Sequence, residues 1–157
     1  MNIIDRAKNI LLTPKTEWAA IAAEEPSVPQ ILTGYVIPLA LIPVVGHVIG
    51  LGVIGQGAMA SMTWGVAMAV ITFVSAIVGL YITSYIVDFL APNFGSQKNF
   101  GRAVQLVAYS YTPSWVAGIF YIIPALGILA LLAGLYGLYL LYLGLPQIMK
   151  TPDDKVV

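Results

Sequence analysis

The chain has two long stretches without one charged side chain, from Pro26 to Val87 and from Ala103 to Met149. Such stretches belong where hydrocarbon is the solvent, because an ionised group at mid-bilayer is expensive. Charged residues make up 9% of the 157 residues, against roughly 25% in an average soluble domain. A soluble fold could not cover its surface with so few. The charges are also parcelled: Asp5 to Glu25, Lys98 to Arg102 and Lys150 to Lys155, with Asp88 alone between them. The pattern predicts an all-α fold, a polytopic bundle of transmembrane helices.

Four spans fit the uncharged stretches, at about 31–54, 62–87, 103–123 and 125–145. A five-span or re-entrant variant stays open. The turn at Pro124 is short, so the last two spans pair as an antiparallel hairpin. Residues 1–29 form a cytosolic or interfacial segment and linker, 30–147 the membrane domain and 148–157 a cytosolic tail. With both ends inside, Arg6, Lys8, Lys15, Lys98, Arg102, Lys150 and Lys155 all fall on one side. The uncharged 55–61 loop and the turn at Pro124 fall on the other, as the positive-inside rule asks. The first residues mix acids, bases and Pro14, unlike a cleavable signal peptide. The first span is therefore expected to direct insertion.

Residues 2–23 read as a broken amphipathic helix lying in the membrane interface. Ile3, Ile4, Ala7, Ile10 and Leu11 share one side; Asp5, Arg6, Lys8 and Asn9 share the other. Thr13-Pro14 reads as an N-cap followed by a first-turn proline. Trp18 is then placed at headgroup depth. Packing of this segment on the end of the bundle is the compatible alternative.

Several intramembrane residues are candidates for function, each with a plainer structural reading. Gly46 and Gly50 form a small-xxx-small pair suited to close helix contact, more within the chain than between copies. His47 is a proton- or ligand-responsive group, or a neutral histidine bonded to a neighbouring helix. Asp88 binds a cation in an inner vestibule, or pairs with Lys98 or Arg102. Pro38 and Pro43 interrupt the first span and Pro113 the third. Around Pro113 lie Tyr109, Ser110, Tyr111, Thr112 and Ser114, whose hydroxyls can satisfy freed carbonyls or line a cavity. Tyr136, Tyr139 and Tyr142 make an aromatic stripe read as a packing ridge. There are no cysteines, no grouping suited to a metal or a catalytic triad, and no phosphate loop. No cofactor and no enzyme activity are expected. Net charge is zero, which gives nucleic acid nothing to bind.

Certain segments resemble a known family. Thr16-Glu17-Trp18 with Glu24 is similar to an N-terminal pattern of its bacterial branch. Tyr35-Val36-Ile37-Pro38-Leu39-Ala40-Leu41-Ile42 is similar to its first span. Phe94-Gly95 through Phe100, then Ala108-Tyr109-Ser110-Tyr111-Thr112-Pro113, resembles its loop and tyrosine–proline motif, and Gly137-Leu138-Tyr139 through Gly144-Leu145 its final span. In that order they resemble the Yip family (Ypt/Rab-interacting membrane proteins). Eukaryotic relatives are described with five spans, whereas residues 59–91 are too few for two spans and a turn. The resemblance implies a multi-pass protein of the bacterial inner membrane with a cytosolic N-terminal region. It implies that Glu24, Tyr109 and Pro113, with Pro38, carry any shared role.

Two functions follow. The first is a non-enzymatic membrane organiser or scaffold, whose partners are membrane lipids and a second copy or another membrane protein. The alternative is a small transporter or channel with a path near the kinked first and third spans. Ionisable groups near the span ends, rather than at mid-membrane, favour the first. A dry, filled interior would support the scaffold; a polar cavity reaching the 92–102 loop would support transport.

Overall fold

The computed structural model describes residues 2–55 and 61–152, and its regular elements there are all helices. Helices α1 (Ile3–Leu12) and α2 (Pro14–Ala22) form an N-terminal pair. Helix α3 runs over Val28–Ile54 and α4 over Met62–Leu90, extended by a 3-10 turn at Ala91–Phe94. Helices α5 (Phe100–Ser110) and α6 (Thr112–Ala117) follow, then 3-10 turns at Gly118–Ile122 and Pro124–Leu126, then α7 (Gly127–Ile148). The 56–60 part of the first loop and the 153–157 part of the tail, with Asp153, Asp154 and Lys155, lie outside the described residues.

Three of the expected spans are present as long apolar helices. Val28–Ile54, Met62–Phe94 and Gly127–Ile148 have 27, 33 and 22 residues, where about 20 cross a bilayer. The expected third span differs. It breaks at Tyr111 into helices of 11 and 6 residues. Pro113 occupies the first turn of α6 and cannot donate a backbone bond to Tyr109. Every residue from Ala103 to Ser110 is buried. This segment is therefore surrounded by protein, which is why it tolerates Gln105 where a lipid-facing helix would not.

Short side chains let the helices close on one another. Gly46 and Gly50 face the turn after α6, where a methyl on Gly46 would lie 3.1 Å from Tyr121 Cβ. A methyl on Gly118 would lie 2.8 Å from Pro43 Cα. The small-xxx-small pair thus works inside the chain. The centre is filled by Val36, Ala40, Leu80, Val104, Val107 and Leu140, all with 0% exposure.

Of the tyrosine stripe of α7, only Tyr136 packs against the core; the other two turn outward. Tyr139 and Tyr142 are exposed. The interleaved glycines make the contact: a methyl on Gly137 would meet the Ser110 carbonyl at 2.8 Å. Glycine is also required at Gly95, where φ is 73° and the chain turns out of the 3-10 segment after α4.

The N-terminal pair is docked against the bundle. Tyr136 Oη donates to the Leu11 carbonyl at 2.8 Å. Arg102 donates to the carbonyls of Ala22 and Glu24 at 3.1 and 2.8 Å, and Gln105 to that of Ile21 at 3.2 Å. Arg102 thus satisfies the Ala22 carbonyl at the end of α2, while the Ile21 carbonyl also accepts from the Glu24 N–H. Two local expectations change. The Thr13 hydroxyl bonds back to the Asn9 carbonyl at 3.1 Å rather than capping α2. Arg6 belongs to the buried face of α1 with Ala7 and Ile10, while Ile4 is exposed.

Candidate functional site

Arg6 is at the centre of a polar junction between the N-terminal helices and the bundle. Its guanidinium donates to Glu17 Oε1 at 2.9 Å and to Glu24 Oε1. Arg6 and Glu17 are 6% and 5% exposed, and each compensates the other's charge in the interior, with Glu24 as the second partner of Arg6. Burial alone would lower the pKa of Arg6. The hydrogen bond that Arg6 donates to Glu24 and the Coulombic pull of Tyr109, Glu24 and Glu17 outweigh it, and the net direction is upward. Arg6 remains a cation.

Tyr109 joins this ion cluster to the helices. Its ring lies under Arg6 with 5.4 Å from guanidinium carbon to centroid, a cation–π distance. The edge of Tyr35 meets it at 4.6 Å between centroids and Trp18 at 6.4 Å. Tyr35 reaches this position from the π-helical turn Leu32–Val36 of α3, a wide turn of the kind that re-aims side chains. Thr112 Oγ1 donates to the Tyr109 carbonyl at 2.7 Å, the acceptor that Pro113 leaves without its usual partner. With that proton committed, Tyr35 Oη donates to Thr112 Oγ1 at 2.8 Å. The kink is thereby wired to the first span.

Beside the junction is a pocket of about 290 Å³. Arg6, Glu24, Gln30, Tyr35, Gln105 and Tyr109 supply its polar wall. The Glu24 side chain is 47% exposed and forms the rim. The arrangement suits recognition of a polar or charged group; it holds no nucleophile paired with a base. Among the described residues, no group of three histidine, cysteine or carboxylate side chains could hold a metal.

The structure brings Glu24, Tyr109 and Thr112 to this place, with Pro113 setting the kink. It leaves the other candidates elsewhere. Pro38 is exposed, at the start of the regular segment Ile37–His47 of α3. His47 donates from Nδ1 to the Pro43 carbonyl of its own helix at 2.9 Å and packs at a tilt against the Tyr121 ring, with centroids 4.3 Å apart. Ser110 Oγ is buried without a partner among the described residues. Asp88 pairs with neither expected base: Arg102 caps α2, and Lys98 lies over the Phe89 ring at 5.5 Å. Asp88 Oδ1 is buried and has no hydrogen-bond partner among the described residues. Trp18 is corrected too. It is 0% exposed, under α7, where a methyl on Gly144 would lie 2.9 Å from its ring. Its indole is inside the protein rather than anchored among lipids.

Sequence reasoning missed Arg6, Tyr35 and Gln105. A signal existed for Arg6, which is three residues after Ile3 and four before Ile10 and so shares their helix face. Tyr35 could not have been found by 3.6-residue periodicity, because the π turn changes the phase.

A helical membrane protein with a buried polar junction at a proline kink is the class these features define. The Yip1 domain matches residues 8–157, and the chain belongs to the Yip1 family. It is 27% identical to the inner membrane protein YohC of Escherichia coli K12 over 123 residues, and to YohC of strain CFT073 to the same degree. The alignment covers 74% of this chain and 63% of each relative, so the chain spans less than two thirds of their length. No solved structure matches.

Proposed function

We propose that the chain is a non-enzymatic organiser of the inner membrane, acting through lipid and protein partners. The observation that carries this reading is the filled centre: Val36, Leu80, Val107 and Leu140 have no exposed surface. A bundle with such an interior offers binding surfaces at its ends and flanks rather than a path through it. The polar pocket at Arg6, Glu24 and Tyr109 is the binding site for a partner's polar group, and the docked α1–α2 pair is the part of the scaffold that presents it. Inner-membrane location is supported by the name of the YohC relatives. Four passes with both ends cytoplasmic agree with the basic residues at 98, 102 and 150; α5 and α6 together make the third pass. Oligomerisation with a second copy fits the many lipid-facing apolar side chains of α4 and α7.

Two observations favour the transporter reading. A polar pocket of about 250 Å³, lined by Lys98, Asn99 and Arg102, reaches the 92–102 loop. Asp88 Oδ1 and Ser84 Oγ are both buried without partners among the described residues, one helical turn apart on α4. Flux into proteoliposomes separates the two readings. The scaffold reading expects ion and solute uptake equal to that of protein-free liposomes, unchanged by Asp88→Asn or Tyr109→Phe. Selective uptake abolished by either variant would sink it. Reporter fusions test the topology, and a C-terminus found outside would overturn the four-pass arrangement.

A further inference from the structure

A second feature lies where α4 ends and α7 ends. An apolar groove of about 300 Å³ runs between these helices. Val87, Leu90, Phe94, Leu141, Leu145 and Met149 line it. Both helices are long and apolar enough to span a membrane, so the groove flanks the bundle where acyl chains are the solvent. Its end is closed by Ser96 and Thr151, whose hydroxyls bond each other at 2.7 Å.

Met149 also lines a polar pocket of about 250 Å³, together with Lys98, Arg102, Lys150 and Glu25. Among the described residues that line it, three bases face one acid, which makes this lining positive. Arg102 is committed to the carbonyls at the end of α2. Lys98 and Lys150 are exposed at the rim. Lys150 has φ 54°, a left-handed conformation immediately after α7 that glycine usually occupies. A lysine held there is a local conflict, and such conflicts concentrate at binding sites.

An apolar groove joined to a basic pocket at a helix end has the chemistry of a diacyl lipid with a negative headgroup. Basic pockets between membrane helices select such headgroups electrostatically. We propose that this site binds one anionic phospholipid, with its phosphodiester at Lys98 and Lys150 and an acyl chain in the groove beside Leu90 and Leu145. The proposal gives the lipid arm of the scaffold reading a location, and rests on that reading only for the membrane setting.

The test uses the full chain, purified in neutral detergent and stripped of lipid. Retention of dioleoyl phosphatidylglycerol and of dioleoyl phosphatidylcholine is measured by native mass spectrometry. The phosphatidylglycerol should bind more tightly, and Lys98→Gln with Lys150→Gln should weaken it by about 30-fold at low salt. Phosphatidylcholine binding should not change. Both lysines are exposed, so the double variant should keep its helical content, checked by circular dichroism. Lys8→Gln, on exposed α1 surface, should leave both lipids unaffected. Leu145→Trp should reduce retention of both lipids by filling the groove. Equal retention of the two lipids, or phosphatidylglycerol binding untouched by the double lysine variant, would overturn the proposal. So would inorganic phosphate displacing the lipid completely, since that would mark a bare anion site. None of these outcomes bears on the flux experiment, so the lipid site and the scaffold reading fail separately.

Discussion

Replacing Arg6 by methionine keeps an unbranched apolar stem and removes the charged guanidinium. Glu17 then remains at 5% exposure with no cation. Breaking one side of a buried pair costs about 3–5 kcal/mol. The Glu24 partner is different: its side chain is 47% exposed, so solvent screens it and its loss should cost under about 1 kcal/mol. The effect should appear as local undocking of α1 and α2, because the three spans are held by their own packing. Hydrogen exchange of amides 4–22, followed by mass spectrometry, reads that opening directly. Arg6→Met should accelerate exchange there by roughly a hundredfold or more, and Glu24→Gln by less than about fivefold. Adding Glu17→Leu to Arg6→Met should restore most of the protection, since the stranded charge is gone. Equal effects of Arg6→Met and Glu24→Gln would refute the reasoning, as would a double variant no better protected than Arg6→Met alone.

Other substitutions probe the kink, the glycine contacts and the free carboxylate. Thr112→Val leaves the Tyr109 carbonyl and the Tyr35 hydroxyl without partners and should lower stability by about 1–3 kcal/mol per group, whereas Thr112→Ser should be near neutral in thermal unfolding. Gly144→Ala presses a methyl onto the Trp18 ring and should destabilise by about 1–3 kcal/mol. Gly79→Ala, with nothing within 4 Å of the added atom, should stabilise α4 by roughly 0.5–1 kcal/mol in the same assay. Asp88→Asn should leave the melting temperature unchanged or raise it, since Asp88 has no ion pair among the described residues; a marked fall would reveal a cationic partner.

The span pattern was legible because it depends on where charges are missing. Three long helices fall close to the expected limits, and the short turn at Pro124 produces the expected antiparallel hairpin of α5–α6 with α7. The third segment was legible in position but not in form. Hydropathy cannot tell a helix in lipid from one enclosed by other helices, and α5 is the enclosed kind. The site was partly legible. Glu24, Tyr109, Thr112 and Pro113 stand out as residue types and motifs, and they converge. What joins them is Arg6, and a charged residue on an amphipathic helix is ordinarily assigned to water. Only Glu17 and Glu24, 11 and 18 residues away along the chain, make its burial possible. The Asp88 pairing failed for the same reason in reverse: Arg102 had a better use at the end of α2, which charge proximity in sequence does not reveal.

The absence of cysteine from the chain permits a direct measurement of the filled centre. Single cysteines at Leu80, Val107 and Leu140 would report on the interior, and one at Glu24 on the pocket rim. A membrane-impermeant thiol reagent is then applied to membranes from either side. A closed bundle predicts rapid labelling at position 24 and none at 80, 107 or 140 from either face. Labelling at position 80 or 107 at a rate comparable to that at 24 would show a water-filled path and contradict the scaffold account.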